Sequence, residues 1–205
     1  LVFANNTLFG TIPAEVGLLS ELVTFSVASN DLEGEIPGSI LLLKKLETID
    51  LRDNLLRGRS LPDIDLAGGF IPRNSLERLR VGGNVLTGTI PPGIGRLTNL
   101  VELDLSRNRY RGVLPTELGE LTKLINLELF GNRFDDAIPT ELGQLTNVKS
   151  MSFHNNQFTG TVPFEICELT TLPEEDLTID CDQLSCLCCT CGPPKKGNIN
   201  AGPGS

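Results

Sequence analysis

The sequence predicts a right-handed α/β-type solenoid with a parallel β-sheet on its concave face and convex returns that are mostly extended or 3₁₀. Three observations lead to this fold class: a fixed repeat of 24 residues, alternation of apolar and polar residues at the start of each repeat, and Gly and Pro at its end. A period of this length indicates stacked turns, each of which buries its apolar face against its neighbours. Little helix is expected, because Gly and Pro interrupt the returns.

A recurring asparagine defines the period. It is followed two positions later by Leu, Tyr or Phe and recurs every 24 residues, apart from one step of 30 residues between Asn54 and Asn84. We predict that each Asn lies where the chain bends away from a strand, and that its amide satisfies backbone groups that the bend leaves unpaired. Stacking would then produce a ladder of these residues: Asn6, Asn30, Asn54, Asn84, Asn108, Asn132 and Asn156.

The residues on either side of each Asn predict the path of one turn. Apolar residues lie five and three positions before it, as with Leu103 and Leu105, and a polar residue such as Asp104 separates them. This alternation predicts a short strand with one face inward. After the Asn comes a segment such as Gly88 to Pro91, in which Pro removes an amide donor and favours an extended return.

The segment LVELDLSRNRYRGVLPTELGEL, residues 100–121, resembles the plant-type extracellular leucine-rich repeat, LxxLxLxxNxLxGxIPxxLGxL. The pattern recurs seven times in phase and covers about residues 1–172. Proteins of this type include receptor-kinase ectodomains and polygalacturonase-inhibiting proteins. The resemblance therefore implies an extracellular protein that binds proteins, peptides or hormones and is not itself a catalyst.

The carboxyl-terminal part predicts a disulfide-rich cap. We divide the chain into the repeat array at 1–172, a cap at 173–192 and a flexible tail at 193–205. Six clustered cysteines indicate disulfides and an oxidising compartment, although their dense spacing would also suit a thiolate metal site. We favour disulfides, with the first cysteine tying the cap to the array and the adjacent pair going to different partners. The cysteines are Cys167, Cys181, Cys186, Cys188, Cys189 and Cys191. Their spacing is similar to that of the cysteine-rich ends of secreted leucine-rich-repeat proteins of diatoms.

Charge and hydropathy exclude two classes of partner. The net charge of −9 would repel a phosphate backbone, so no nucleic acid is expected. No apolar run approaches the roughly 20 residues of a membrane span, so no membrane insertion is expected within this chain. Two absences suggest a piece of a longer protein: the sequence has no initiator Met and lacks the paired amino-terminal cysteines usual in the plant family.

The strand positions that point away from the core are the candidate ligand-binding residues. Phe130 beside His154 is the best anchor, since an aromatic ring on the outward face is not needed for the core. Three arginines form a basic spot flanked by acidic residues. The alternative is a solvated face with ion pairs between turns, worth ~0–1 kcal/mol each. The candidates are Arg52, Arg78, Arg80, Asp104, Glu128, Phe130 and His154.

Four other features of the sequence also have an interpretation. Asp104 and Glu128 could approach to ~5 Å, as in retaining glycosidases, but an open sheet offers no deep pocket, so an acidic rung is favoured. No nucleophile is placed beside the only histidine, and we predict no catalytic residue, cofactor or metal. The longer repeat, which contains residues 59–70, predicts a loop on the return side. Asn5, in the sequon Asn5-Asn6-Thr7, is a candidate glycosylation site.

The function predicted from these features is recognition at the cell surface or outside the cell. The concave face would bind a protein or peptide ligand, or a polysaccharide. Two alternatives remain: a structural or adhesive protein of the cell wall or matrix, and an inhibitor of a secreted polysaccharide-degrading enzyme. An ice-binding face is disfavoured because the outward rows are charged and irregular.

Overall fold

Each repeat begins with a short strand whose central side chain is buried. The computed structural model describes residues 1–59 and 75–191. Leu103 and Leu127 are fully buried, and Glu102 and Asn126 beside them are partly exposed. Within the described residues these strands form one parallel sheet of eight strands, here called the long sheet. In spatial order they are Thr24–Ser26, Thr48–Asp50, Arg78–Arg80, Glu102–Asp104, Asn126–Glu128, Ser150–Ser152, Leu177–Ile179 and Thr190–Cys191.

The longer repeat does not disturb the register of the long sheet. Asp50 lies opposite Arg80, and Arg80 lies opposite Asp104. The inward and outward positions therefore continue unchanged across the extra residues. Most of the predicted loop, residues 60–70, lies outside the described part of the chain.

The returns are extended, and they pair into smaller parallel sheets. Gly34 and Gly112 have φ of 81° and 79°, and Asp136 takes the equivalent place with φ of 66°. Among the described residues, the first return sheet contains Phe9–Thr11, Asp31–Gly34 and Leu55–Leu56. The second contains Thr87–Gly88, Arg109–Gly112, Arg133–Asp136 and Gln157–Phe158. Gly160–Thr161 pairs with Leu184–Ser185.

Short 3₁₀ segments complete each turn, and each follows a proline in an extended conformation. They are Ala14–Leu18, Gly38–Leu42, Pro92–Arg96, Thr116–Glu120, Thr140–Gln144 and Glu174–Asp176. In the described residues, α-helix is limited to Phe164–Cys167. The predicted fold class, a parallel-sheet solenoid with low helix content, is confirmed.

One continuous apolar core runs between the long sheet and the returns. In its carboxyl-terminal half, Tyr110, Phe134 and Phe158 stack in successive turns with ring centroids 6.0 and 6.1 Å apart. Burial raises the pKa of the Tyr110 hydroxyl far above its usual range, so the tyrosine stays neutral. The core therefore has an aromatic column although the sequence contains no Trp.

The repeated asparagines join consecutive turns through their side-chain amides. Asn108 donates to the carbonyl of Leu105 in its own turn, at 3.2 Å, and to that of Val81 in the preceding turn, at 3.0 Å. Its oxygen accepts the amide of Leu86 at 3.0 Å. Asn30, Asn54, Asn84, Asn132 and Asn156 make the same kinds of bond.

The two ends of the ladder differ from its middle. Asn6 is exposed, and its amide donates to Phe3 and Ala4 of its own turn. At the other end Asp180 takes the ladder position and accepts the backbone amides of Asn155 and Asn156, at 2.8 and 3.0 Å. A carboxylate fits there because it only accepts hydrogen bonds.

Replacing a central ladder residue should destabilise the protein. Asn108→Ala would remove bonds to buried carbonyl and amide groups in two turns, at a cost of about 1–3 kcal/mol in the free energy of unfolding. Urea denaturation measures this loss. Asn6→Ala is the matched control, since it occupies the same repeat position at an exposed end and should cost less. Equal losses in the two variants would contradict the ladder explanation.

Glycine lets neighbouring 3₁₀ segments approach closely. A Cβ at Gly119 would lie 2.4 Å from the carbonyl oxygen of Glu141 in the next turn, and Gly143 has a similar contact with Glu165. Leu41 occupies this repeat position in the turn that precedes the longer repeat. The returns can therefore pack this closely at Gly119 and Gly143 because glycine has no side chain.

We expect Gly119→Ala to lower the free energy of unfolding. The steric overlap should cost about 1–3 kcal/mol, against about 0.4–1 kcal/mol gained from a less flexible unfolded chain. Thermal unfolding followed by circular dichroism tests this, with exposed Thr122→Ala as control. A variant as stable as the control would show that the turns can separate at no cost.

Candidate functional site

The predicted ligand-binding residues all lie on the outward face of the long sheet, in two groups. Arg78, Arg80, Asp104 and Glu128 belong to strands, and the other three lie two residues beyond strand ends. The first group surrounds the three arginines. The second contains Glu128, Phe130 and His154. Three strand spacings, about 14 Å, separate Arg52 from Phe130, so the two groups are distinct.

The arginines of the first group are paired with carboxylates. Arg52 donates to both oxygens of Asp50, at 2.9 and 2.8 Å, and Arg80 donates to both oxygens of Glu102, at 2.7 and 2.5 Å. Arg80 also lies 3.6 Å from Asp50, which links the two pairs. Arg78 lies 3.4 Å from Glu77. The predicted basic spot is thus a network of alternating charge.

Asp50 is the central carboxylate of this network. Its side chain is only 9% exposed, and this burial raises its pKa. The hydrogen bonds and charge of Arg52, with the charge of Arg80, outweigh burial and hold the pKa below its ordinary value. Hydrogen bonding to Asp50 raises the pKa of Arg52, and hydrogen bonding to Glu102 raises the pKa of Arg80, so both arginines stay charged. We did not include Asp50 and Glu102 among the candidates from the sequence, although the alternating charges along the row signalled them.

Asp104 and Glu128 lie opposite each other in adjacent strands and bond to serines. Asp104 accepts the backbone amide and hydroxyl of Ser106, at 3.0 and 2.7 Å. Glu128 accepts hydroxyls of Ser150, at 3.2 Å, and Ser152. Both carboxylates are therefore hydrogen-bonded acceptors. These serines were not among the candidate residues predicted from the sequence.

Phe130 and His154 form a stacked pair of rings. Their centroids are 4.8 Å apart and their planes differ by 11°. His154 Nδ1 lies 2.8 Å from the hydroxyl of Thr178, in the turn that follows. Burial lowers the pKa of His154, and the charges of Asp180 and Glu128 oppose that shift in part. Both rings are half-buried, so each keeps part of its surface exposed on this face.

The six cysteines lie as three disulfide pairs at the end of the array. Cys167–Cys188 connects the α-helix Phe164–Cys167 to the cap, and Cys181–Cys191 and Cys186–Cys189 lie within the cap. Adjacent Cys188 and Cys189 have different partners. The sulfurs of Cys167, Cys186 and Cys188 all lie within 4.8 Å of one another, so only the reduced cluster could offer three thiolates to a metal.

Asn5, the candidate glycosylation site, is exposed in the turn that carries Asn6. Its φ of 56° is shared by the equivalent Ser29 and Asn155, at 55° and 56°. The side chain therefore lies at the bend between strand and return, away from the buried core.

A search for membrane spans in the described residues found no helix with the required length and hydropathy.

Comparison with family models and solved structures points to one family. The Leucine Rich Repeat model matches residues 75–97, 99–121 and 147–169. The leucine-rich-repeat ectodomain of the Arabidopsis thaliana membrane receptor kinase GASSHO1/SCHENGEN3, in complex with Casparian strip integrity factor 2, is 32% identical with a TM-score of 0.76. Arabidopsis receptor kinase HAESA, in complex with the peptide hormone IDA and the co-receptor SERK1, is 32% identical with a TM-score of 0.77.

These matches differ in how much of each protein they cover. The GASSHO1/SCHENGEN3 match covers 82% of this chain and 20% of that one, and the HAESA match covers 89% and 29%. The chain thus spans less than a third of either. In the BIR3–SERK2 complex from Arabidopsis thaliana the matched chain is 31% identical, with 68% of this chain and 71% of that one covered and a TM-score of 0.57. Comparison with curated protein sequences gave no significant match.

The buried carboxylate Asp50 should make stability depend on acid pH. Its pKa is lower in the folded protein than in the unfolded chain, so its contribution is present above the unfolded value and is lost as pH falls through the folded one. We expect Asp50→Asn to cost about 1.5–3 kcal/mol at pH 7, with the difference from the parent shrinking in acid. Chemical denaturation across pH 7 to 3 measures both.

Asp53→Asn is the matched control. Asp53 is paired with Arg107, but its side chain is 51% exposed, so less than about 1 kcal/mol should be lost. A difference between Asp50→Asn and the parent that stayed constant with pH would contradict the assigned role of the Asp50 carboxylate.

Proposed function

Because this chain belongs to the leucine-rich repeat family, we propose that it is an extracellular or cell-surface recognition module that binds a protein or peptide on the outward face of its long sheet. The observation that carries the proposal is the stacked Phe130–His154 pair, which is partly exposed on that face. The core is complete without either ring, since inward residues such as Leu127, Leu129 and Met151 fill it.

An exposed aromatic pair suits recognition of a protein or peptide. Aromatic side chains provide a large contact area at small entropic cost and are enriched among the residues that dominate binding energy. The equivalent positions of the two preceding turns carry the small residues Gly82 and Ser106. The Phe130 and His154 rings therefore protrude beyond the neighbouring surface, and a ligand could pack against both the rings and that surface.

The matched structures support the proposed ligand class. HAESA was solved with a peptide hormone and a co-receptor. Extended concave surfaces are the usual binding surfaces of solenoids. None of the contacts described above favours a polysaccharide. We propose no catalytic residue, because we interpret the serine hydroxyls bound to Asp104 and Glu128 as hydrogen-bond donors rather than as activated nucleophiles.

We also propose that the chain divides into an array at 1–172, a cap at 173–192 and a tail at 193–205. Leu177–Ile179 and Thr190–Cys191 extend the long sheet beyond the last full repeat, and a cap there would cover its terminal core. The three cysteine pairs would hold the cap in an oxidising compartment. Asn5 would carry a glycan if the chain passes through a secretory pathway. The tail lies outside the described residues.

The test is affinity capture from surface extract of the source organism. The parent chain is compared with a Phe130→Ala/His154→Ala variant, and Phe164→Ala is the matched control because Phe164 is 69% exposed on the return side. We expect one protein to be retained by the parent and the control, and to bind the double variant at least about tenfold more weakly when retested as pure protein by calorimetry.

Two results would count against the proposal. Equal affinity of parent and double variant would place binding elsewhere on the chain. If no protein is retained and the chain instead self-associates or adheres to wall polymer, the structural alternative would replace recognition. Circular dichroism of each variant verifies that the fold is retained.

A further inference from the structure

Glu128 differs in its partners from Asp50 and Glu102, two other carboxylates of the outward face. Asp50 and Glu102 each bind an arginine through two oxygens. Glu128 accepts two neutral serine hydroxyls and forms no ion pair with a described residue. It is half-buried and therefore only partly hydrated. A negative charge held by neutral donors on a binding face is ready to pair with a cation from outside.

The Phe130 ring lies beside this carboxylate. Phe130 follows Glu128 by two residues on the same side of the chain, about 6–7 Å further along it. His154 covers one face of the ring, from the turn that follows. The turn that precedes has only Ser106 at the equivalent position, and its small side chain is turned to Asp104. The ring face above Ser106 is therefore the side left for a ligand.

We propose that Phe130 and Glu128 form a subsite for an arginine side chain of the bound peptide or protein; this inference rests on the proposed function. The planar guanidinium stacks on the Phe130 face above Ser106, where the ring quadrupole attracts it. Its fork of N–H groups reaches Glu128 and donates to the carboxylate. Asp104, opposite Glu128 in the adjacent strand, adds a second negative charge on the same side.

Charge and geometry favour arginine over other occupants. The net charge of −9 attracts cationic ligands and repels anionic ones. Lysine carries the charge but has no flat group to stack on a ring. An apolar side chain would stack on Phe130 yet would leave Glu128 without a counter-charge.

The experiment uses N-acetyl-arginine methylamide as the probe and follows its titration into the isotope-labelled chain by NMR. The citrulline compound, which has the same shape without the charge, is titrated in parallel. We expect the arginine probe to shift the Phe130 ring and Glu128 side-chain signals, and to bind about tenfold more tightly than the citrulline probe. Glu128→Gln should lose this preference, and exposed Glu120→Gln, on the return side, should keep it.

Equal binding of the two probes, or shifts centred away from Phe130, would overturn the subsite. The comparison of probes uses the parent chain and so remains decisive even if Glu128→Gln fails to fold. Failure here is distinguishable from failure of the proposed function. A partner captured through Phe130 and His154 without arginine-selective probe binding would refute the subsite alone.

Discussion

The structure depends on one constraint: a chain that bends sharply after every short strand must still satisfy the polar backbone groups at the bend. The asparagine amide meets this need in two turns at once, because it donates to carbonyls of its own and the preceding turn and accepts an amide from the return. Water cannot do this inside a continuous apolar core. The same bond that closes one turn thus sets the position of the next.

This stacking imposes different requirements on the inward and the outward positions of each turn. The inward positions must be apolar and the returns must be slim, as Gly119 shows by its closeness to Glu141. Neither requirement applies to the outward positions. Side chains there can form charge networks, as around Asp50, or remain partly exposed, as Phe130 does, without effect on the core.

The fold could be predicted almost completely from the sequence because each of its determinants is periodic. Asn positions, apolar alternation and Gly-Pro returns all recur at the same interval, and the register held across the longer repeat. The neighbouring positions of Phe130 and His154 followed from the same counting. The cysteine pairs could not be deduced, since the cap is not periodic and spacing alone permits several connectivities.

The sequence predicted which side chains share an outward row, but it did not predict which residue each of them bonds to. Arg52 bonds to Asp50 in its own turn, whereas Arg80 bonds to Glu102 in the next turn. The choice depends on side-chain rotamers, which periodicity does not encode. The contact between Thr178 and His154 was not predicted, because the turn that contains Thr178 departs from the repeat pattern. The sequence also did not predict that Asp50, on an outward row, would be buried. The long side chains of its arginine partners account for this burial.

The fixed spacing of the turns also determines which ligand conformations can match the face. The 4.8 Å between the Phe130 and His154 rings matches the spacing of adjacent strands in a parallel sheet, about 4.7–4.9 Å. An extended peptide advances only about 3.3 Å per residue. Three of its residues therefore span nearly the same length as two turns, about 10 Å. Because successive side chains of an extended peptide point to opposite sides, a peptide crossing the turns would meet equivalent rows from the same side with only every sixth side chain. The face therefore imposes its own sequence period on an extended ligand.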